Sequence, residues 1–133
     1  MTSARAKGAA LERKAQKELV AAGYLVHRAA PRVARLPGGR VISVAHDLFG
    51  AFDLVAVAPS GTRWIQVLWQ SEKQRTDAAD RRAKIAALRN QFDPRASYEV
   101  WRWLTRRGWW KQQYRPDEPE SVPSGWLDLE KPK

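Results

Sequence analysis

The sequence predicts one α/β domain with a central mixed β-sheet flanked by helices, and three observations predict it. Helical and extended segments follow one another as helix, strands, hairpin, helix, strands, an order that lays helices over the faces of a sheet. The two strands of the central hairpin are apolar on both faces, so each face must be covered. The 133 residues, 44% of them hydrophobic, suffice for one modest core and not for two. The folded domain is expected over residues 1–115, with a tail over 116–133.

The first helix is expected from about Ser3 to Ala22, a stretch without proline and rich in alanine, leucine, lysine and glutamate. Leu11, Ala15, Leu19 and Ala22 fall on one stripe, with Gly8 and Glu12 along its edge and Glu18 near its middle. Gly23 is a natural terminator. Tyr24 to Ala29 alternates as a first strand. Pro31 to Arg40 carries proline, Gly38-Gly39 and three arginines, and reads as a mobile basic loop. Val41 to Ala45 is β-branched and extended.

Phe52 to Ala58 is a nearly continuous apolar run headed by a carboxylate, and Arg63 to Trp69 is a second such run. Pro59-Ser60-Gly61 between them is turn chemistry. A turn centred on Pro59 and Ser60 pairs Asp53 with Gln66, so that Asp53, Gln66 and Leu68 project from one side of the hairpin. Thr76 can cap a second helix running to Gln91, with a thin apolar side (Ala79, Ile85, Ala86, Leu88) and a strongly basic remainder. Strands Tyr98 to Leu104 and Trp109 to Tyr114 flank Arg106-Arg107-Gly108 as a hairpin. The tail from Pro116 is expected to be poorly ordered except around Trp126 and Leu127.

Lysine and arginine outnumber acidic residues 24 to 14, a formal charge of +10. Such an excess on so short a chain favours a polyanionic partner, because each neutralised phosphate releases condensed counterions. The candidate phosphate contacts are Arg13 on the first helix, Arg28 on the first strand, Arg32, Arg35 and Arg40 in the loop, and Arg81, Arg82, Lys84 and Arg89 on the second helix. Trp101 and Trp103 share a face by spacing and read as packing. Together with Trp109 and Trp110, and interleaved with Arg102, Arg106 and Arg107, they also suit stacking on unpaired bases. The absence of cysteine excludes disulfides and thiolate metal sites. No apolar stretch approaches the ~18 residues that span a bilayer, and the expected setting is soluble and cytoplasmic, with no membrane partner.

Asp53 heads a buried strand, and a buried carboxylate needs a partner, which marks it as a site residue. Gln66 opposite it is either that structural partner or a member of the site. His27 and His46 lie in no metal-ligand spacing with another histidine and read as structural. Metal-dependent phosphodiester cleavage needs hard oxygen ligands converging on one point and a group that orients or deprotonates water.

The run Gly8…Glu12-Arg13, Gly23-Tyr24-Leu25-Val26-His27-Arg28, Phe52-Asp53-Leu54-Val55-Ala56 and Ile65-Gln66-Val67 resembles the archaeal-type Holliday junction resolvases of the PD-(D/E)xK nuclease superfamily. The resemblance spans roughly residues 5 to 70 and implies a restriction-endonuclease-like fold. It implies that Glu12 is the helix acid, with Glu18 a competitor, and that Asp53 is the principal ligand of Mg²⁺ or Mn²⁺. By the same resemblance Gln66 stands where the second strand acid is usual, and the Val67 carbonyl is a further ligand. The lysine of the pattern is replaced by Leu68, and the proline before the first acid by Phe52. Lys73 or Lys84 could supply the missing ammonium, and His46 and Asp47 an acid-base group. The resemblance further implies a homodimer acting on branched DNA, since a four-way junction presents two symmetry-related strands. The alternatives are a nuclease-fold DNA-binding protein without catalysis, and a phage-type interaction module built on the tryptophan-rich hairpin.

Overall fold

The computed structural model describes residues 4–29, 32–35, 37–39, 41–44, 51–70, 75–117 and 125–132, with backbone alone for 4–7, 32–35, 41–44, 70 and 75–77. Helix α1 spans Ala4–Ala21 and buries Leu11, Ala15 and Leu19 at four-residue spacing. It ends in a Schellman arrangement. The Tyr24 N–H reaches the Leu19 carbonyl at 3.0 Å and the Gly23 N–H the Val20 carbonyl at 3.0 Å, with Gly23 at φ +97°, a conformation glycine adopts without strain. Ala22, placed on the stripe by its spacing, lies exposed in this turn because the helix has already stopped.

Strands β1 (Leu25–Arg28), β4 (Leu54–Ala58), β5 (Gly61–Gln70), β6 (Ser97–Leu104), β7 (Gly108–Tyr114) and β8 (Trp126–Glu130) form one sheet in the order β1-β4-β5-β6-β7-β8. Only β5 and β6 run parallel within it, joined by helix α2 (Arg75–Ala87) as the crossover; the other pairs are antiparallel. The expected class, one α/β domain with a mixed sheet between helices, is the observed one. The β4–β5 hairpin pairs Ala58 with Gly61 and Leu54 with Ile65, the register that the Pro59-Ser60 turn predicts.

Alternation along the strands divides the core in two. Under α1 lie Leu54, Ala56, Ile65, Val67, Trp101 and Trp109; Ala78 and Ile85 of α2 pack on Phe52, Leu68, Tyr98, Val100 and Trp126. Trp101 and Trp103 both join the α1 side, so their shared face is a packing face.

Four expectations are corrected. The basic loop contains strand β2 (Arg32–Arg35), paired antiparallel with β3 (Val41–Val44) as a separate two-stranded sheet around Gly38 and Gly39, both at positive φ; with Val33 its one β-branched residue, the strand carried little local signal. The second helix stops at Ala87, and Arg89–Gln91 forms a 3-10 turn. Its inward residue is Ala78 and not Ala79, which is exposed. Asp128–Glu130 in the tail, expected to be poorly ordered, continue from Trp126 and Leu127 as strand β8, because Trp126 seals the α2-side core and Asp128 finds donors on β7.

Candidate active site

Asp53 sits at the junction of three strands. Its N–H donates to the Ile65 carbonyl at 2.9 Å, and its carbonyl accepts from the Ala29 N–H at 2.8 Å. The Phe52 ring, 1% exposed, lies 5.9 Å from the rings of both Trp64 and Tyr98. The aromatic anchor therefore fixes the residue before the carboxylate. Asp53 is 8% exposed and Gln66 2%. The Asp53 Oδ2 accepts from the Gln66 Nε2 at 2.8 Å and from the Val67 N–H at 2.8 Å.

The same Gln66 Nε2 lies 3.4 Å from the Val67 carbonyl oxygen. Asp53 Oδ2 and Val67 O thus converge on one electropositive atom. Two hard oxygens facing one point are the beginning of a cation site, and a carboxamide turned end for end presents an oxygen where its nitrogen now sits. Carboxylate and carbonyl oxygens are the donor type that Mg²⁺ or Mn²⁺ takes, and a single carboxylate makes a weak site for either.

Leu68 shares the Gln66 face, as the hairpin register predicts, but it is buried in the α2-side core among Phe52, Ala78 and Ile85. Glu12 is half-buried beside Leu11 on α1, and among the described residues no group of three or more His, Asp or Glu gathers into a metal cluster. Glu18 pairs with Lys111 of β7, which removes it from competition as the helix acid. His27 is exposed on β1. Arg40, His46, Asp47 and Lys73 lie outside the described residues, as do the side chains of Arg32 and Arg35. Arg13, Lys84 and Arg89 are exposed, and Arg28 and Arg81 half-buried. Arg82 is turned inward, donating to the Gln112 Oε1 at 3.1 Å.

Two buried polar networks escape the sequence reading. Glu99, fully buried on β6, accepts from Arg63 Nε and Nη2 at 2.8 and 2.6 Å, from Ser97 at 2.6 Å and from the Trp101 indole at 2.8 Å. That hydrogen bonding raises the Arg63 pKa above its ordinary value, against the opposing pull of burial. On the α2 side, Arg102 is 4% exposed, donates to Gln112 Oε1 at 2.9 Å and stacks 3.6 Å over Trp110. Burial, aided by the charge of Arg82, lowers its pKa to about 10, and Asp128 partly offsets this. A glutamate and an arginine inside the run Tyr98-Glu99-Val100-Trp101-Arg102 were the available signal. The charged partner of Glu99 lies 36 positions away, and Gln112, the partner of Arg102, lies across the β6–β7 hairpin, so the signal named no pair.

No family model matches the chain, and no curated protein matches its sequence. Among solved structures, the 1.6 Å structure of Hjc from Archaeoglobus fulgidus, a Holliday junction resolvase from an archaeal hyperthermophile, is similar. The identity is 22%, covering 79% of this chain and 70% of that one, with a TM-score of 0.45. The likeness is distant.

Proposed function

We propose that this chain is an endonuclease acting on branched DNA, hydrolysing phosphodiester bonds with Mg²⁺ or Mn²⁺ held at Asp53. The observation that carries the reading is the convergence of Asp53 Oδ2 and Val67 O on one buried point at the head of a strand. The charge of +10 supports a nucleic-acid partner, and the residues that resemble the resolvases support the branched substrate and a homodimeric active form. Among the described residues no helix is long and apolar enough to cross a membrane, and the proposed setting is the cytoplasm.

Asp53, Val67 through its carbonyl, Gln66 through its carboxamide oxygen, and Glu12 from α1 would hold the ion. When bound, it would polarise the phosphoryl group and lower the pKa of water. The chain's own part is positional. Asp53 brings the fixed negative charge, Phe52 and the Ala29 and Ile65 backbone groups hold it in place, and the α1 and α2 cations hold the flanking phosphates. Lys73 is the proposed source of the ammonium that Leu68 lacks.

A second reading has its own observation. Leu68 is committed to the core, so the position that resemblance gives to lysine contributes packing, as in a protein that binds junctions without cutting them. One experiment separates the two: a labelled four-way junction and a matched linear duplex, incubated with Mg²⁺, Mn²⁺ or chelator, with wild type beside Asp53→Asn. The expected result is metal-dependent nicking of the junction that Asp53→Asn abolishes while still binding it. Junction binding without nicking in either metal establishes the second reading, and a chain that binds neither DNA overturns both.

A further inference from the structure

The turn between β6 and β7 is built against the preference of its own sequence. The Leu104 carbonyl accepts from the Arg107 N–H at 2.9 Å, closing a four-residue turn whose third residue, Arg106, has φ +67°. A turn with positive φ at that position takes glycine or asparagine, because a longer side chain crowds its own backbone there. Among the described residues Arg106 is the only non-glycine residue in this conformation. Strain retained at an exposed turn, where glycine would relieve it, points to a use for the side chain.

The surroundings say what that use is. Thr105, Arg106 and Arg107 are all exposed. The tip is braced, since the Trp69 indole at the end of β5 donates to the Thr105 Oγ1 at 3.0 Å. Trp103 and Trp109 stack edge to face behind it at 5.1 Å, and Lys14 of α1 lies 4.4 Å over the Trp103 ring. The tip also lies at the Asp53 end of the sheet. Gln70 pairs with Leu104, so the turn begins about four strand residues beyond Val67 and two strands across from Asp53. Strand rise and spacing put the two roughly 15 Å apart, about four base steps along a duplex strand.

We infer that the Thr105–Gly108 turn is a second DNA contact, in which Arg106 and Arg107 grip backbone phosphates of the duplex arm flanking the Asp53 site. The inference rests on the proposed DNA-binding function and extends it to a braced cationic hairpin that the candidate phosphate contacts do not include. A rigid tip loses little entropy on binding, and the arginine fork suits phosphate oxygens.

The test is Arg106→Gly, measured for thermal stability and for binding to a labelled four-way junction and duplex over a series of salt concentrations. The replacement should raise the melting temperature by a few degrees, since the strain is relieved, while weakening DNA binding several-fold. The slope of log affinity against log salt should fall by about 0.9, one phosphate contact, and by about twice that in Arg106→Gln/Arg107→Gln. Opposite signs for stability and affinity are what a purely structural turn cannot give. A wild type that binds DNA, beside an Arg106→Gly whose affinity and slope are unchanged, overturns the inference and leaves the proposed function standing. A wild type that does not bind DNA overturns the proposed function itself.

Discussion

Replacing Gln66 by glutamate tests the geometry of the Asp53 site without reference to DNA. The variant places a second carboxylate where Nε2 now sits 2.8 Å from Asp53 Oδ2, in a pair only 8% and 2% exposed. Two charges about 4 Å apart at an effective dielectric of 20 repel by about 4 kcal/mol. The pair can escape by taking up a proton, which for an ordinary glutamate costs about 3.7 kcal/mol at pH 7. The two limits nearly coincide, and the lost hydrogen bond adds about 1 kcal/mol. The variant should therefore lose about 3–5 kcal/mol in chelator at pH 7, a large part of a typical domain's stability. Near pH 5 protonation costs only about 1 kcal/mol. The folded pair then binds a proton that the unfolded chain lacks, so the deficit shrinks as pH falls. Mn²⁺ at a hundred times its dissociation constant should return about 2.7 kcal/mol. Urea unfolding followed by tryptophan fluorescence, in chelator and in Mn²⁺ at both pH values, reads all of this. If Gln66→Glu in chelator at pH 7 is as stable as the wild type, the two side chains do not face each other and the site is misbuilt.

Leu68→Lys should not create a working nuclease. Its side chain enters the α2-side core beside Arg102, its partner in the parallel register, and a loss of about 3–5 kcal/mol by chemical denaturation is expected with no gain in junction nicking. Combined with Gln66→Glu, the loss should fall short of the sum by about 1–3 kcal/mol, as opposite charges on one face couple. Glu99→Gln strands the Arg63 guanidinium over a carboxamide and should cost about 3–5 kcal/mol, visible in urea melts, while leaving the salt dependence of DNA binding unchanged.

What could be read in advance depended on how local the cause was. The α1 stripe from Leu11 to Leu19, the Gly23 stop and the β4–β5 register each arise within a dozen residues and are found as the pattern predicts, although Ala22 and Glu18, placed on that stripe by spacing, are exposed. The juxtaposition of Asp53 with Gln66 was legible for the same reason, since a short turn fixes which residues oppose. Strand β8 was not, because Trp126 and Asp128 gain their partners only from β7 and α2, and a composition of proline and acid hides that. The Arg63–Glu99 pair spans 36 positions, and no local pattern couples them. Arg106 was hidden differently: Gly108 beside it looks like the residue that supplies the positive φ, and only the backbone shows that Arg106 shares it.

Among the described residues three acids on the sheet are buried or largely buried, and each is held in its own way. Glu99 is matched by the Arg63 guanidinium. Asp128 lies among cations, pulling against the lowered pKa of both Arg82 and Arg102. The Oδ2 of Asp53 accepts from the Gln66 carboxamide and the Val67 N–H, which stabilise a negative charge on it. Leu68 is buried among Phe52, Ala78 and Ile85 and lies beside Arg102 in the parallel register. A lysine at that position would lie next to a guanidinium whose pKa burial and the charge of Arg82 already lower, with the neutral Gln66 carboxamide on the same face, so the face as built favours leucine there.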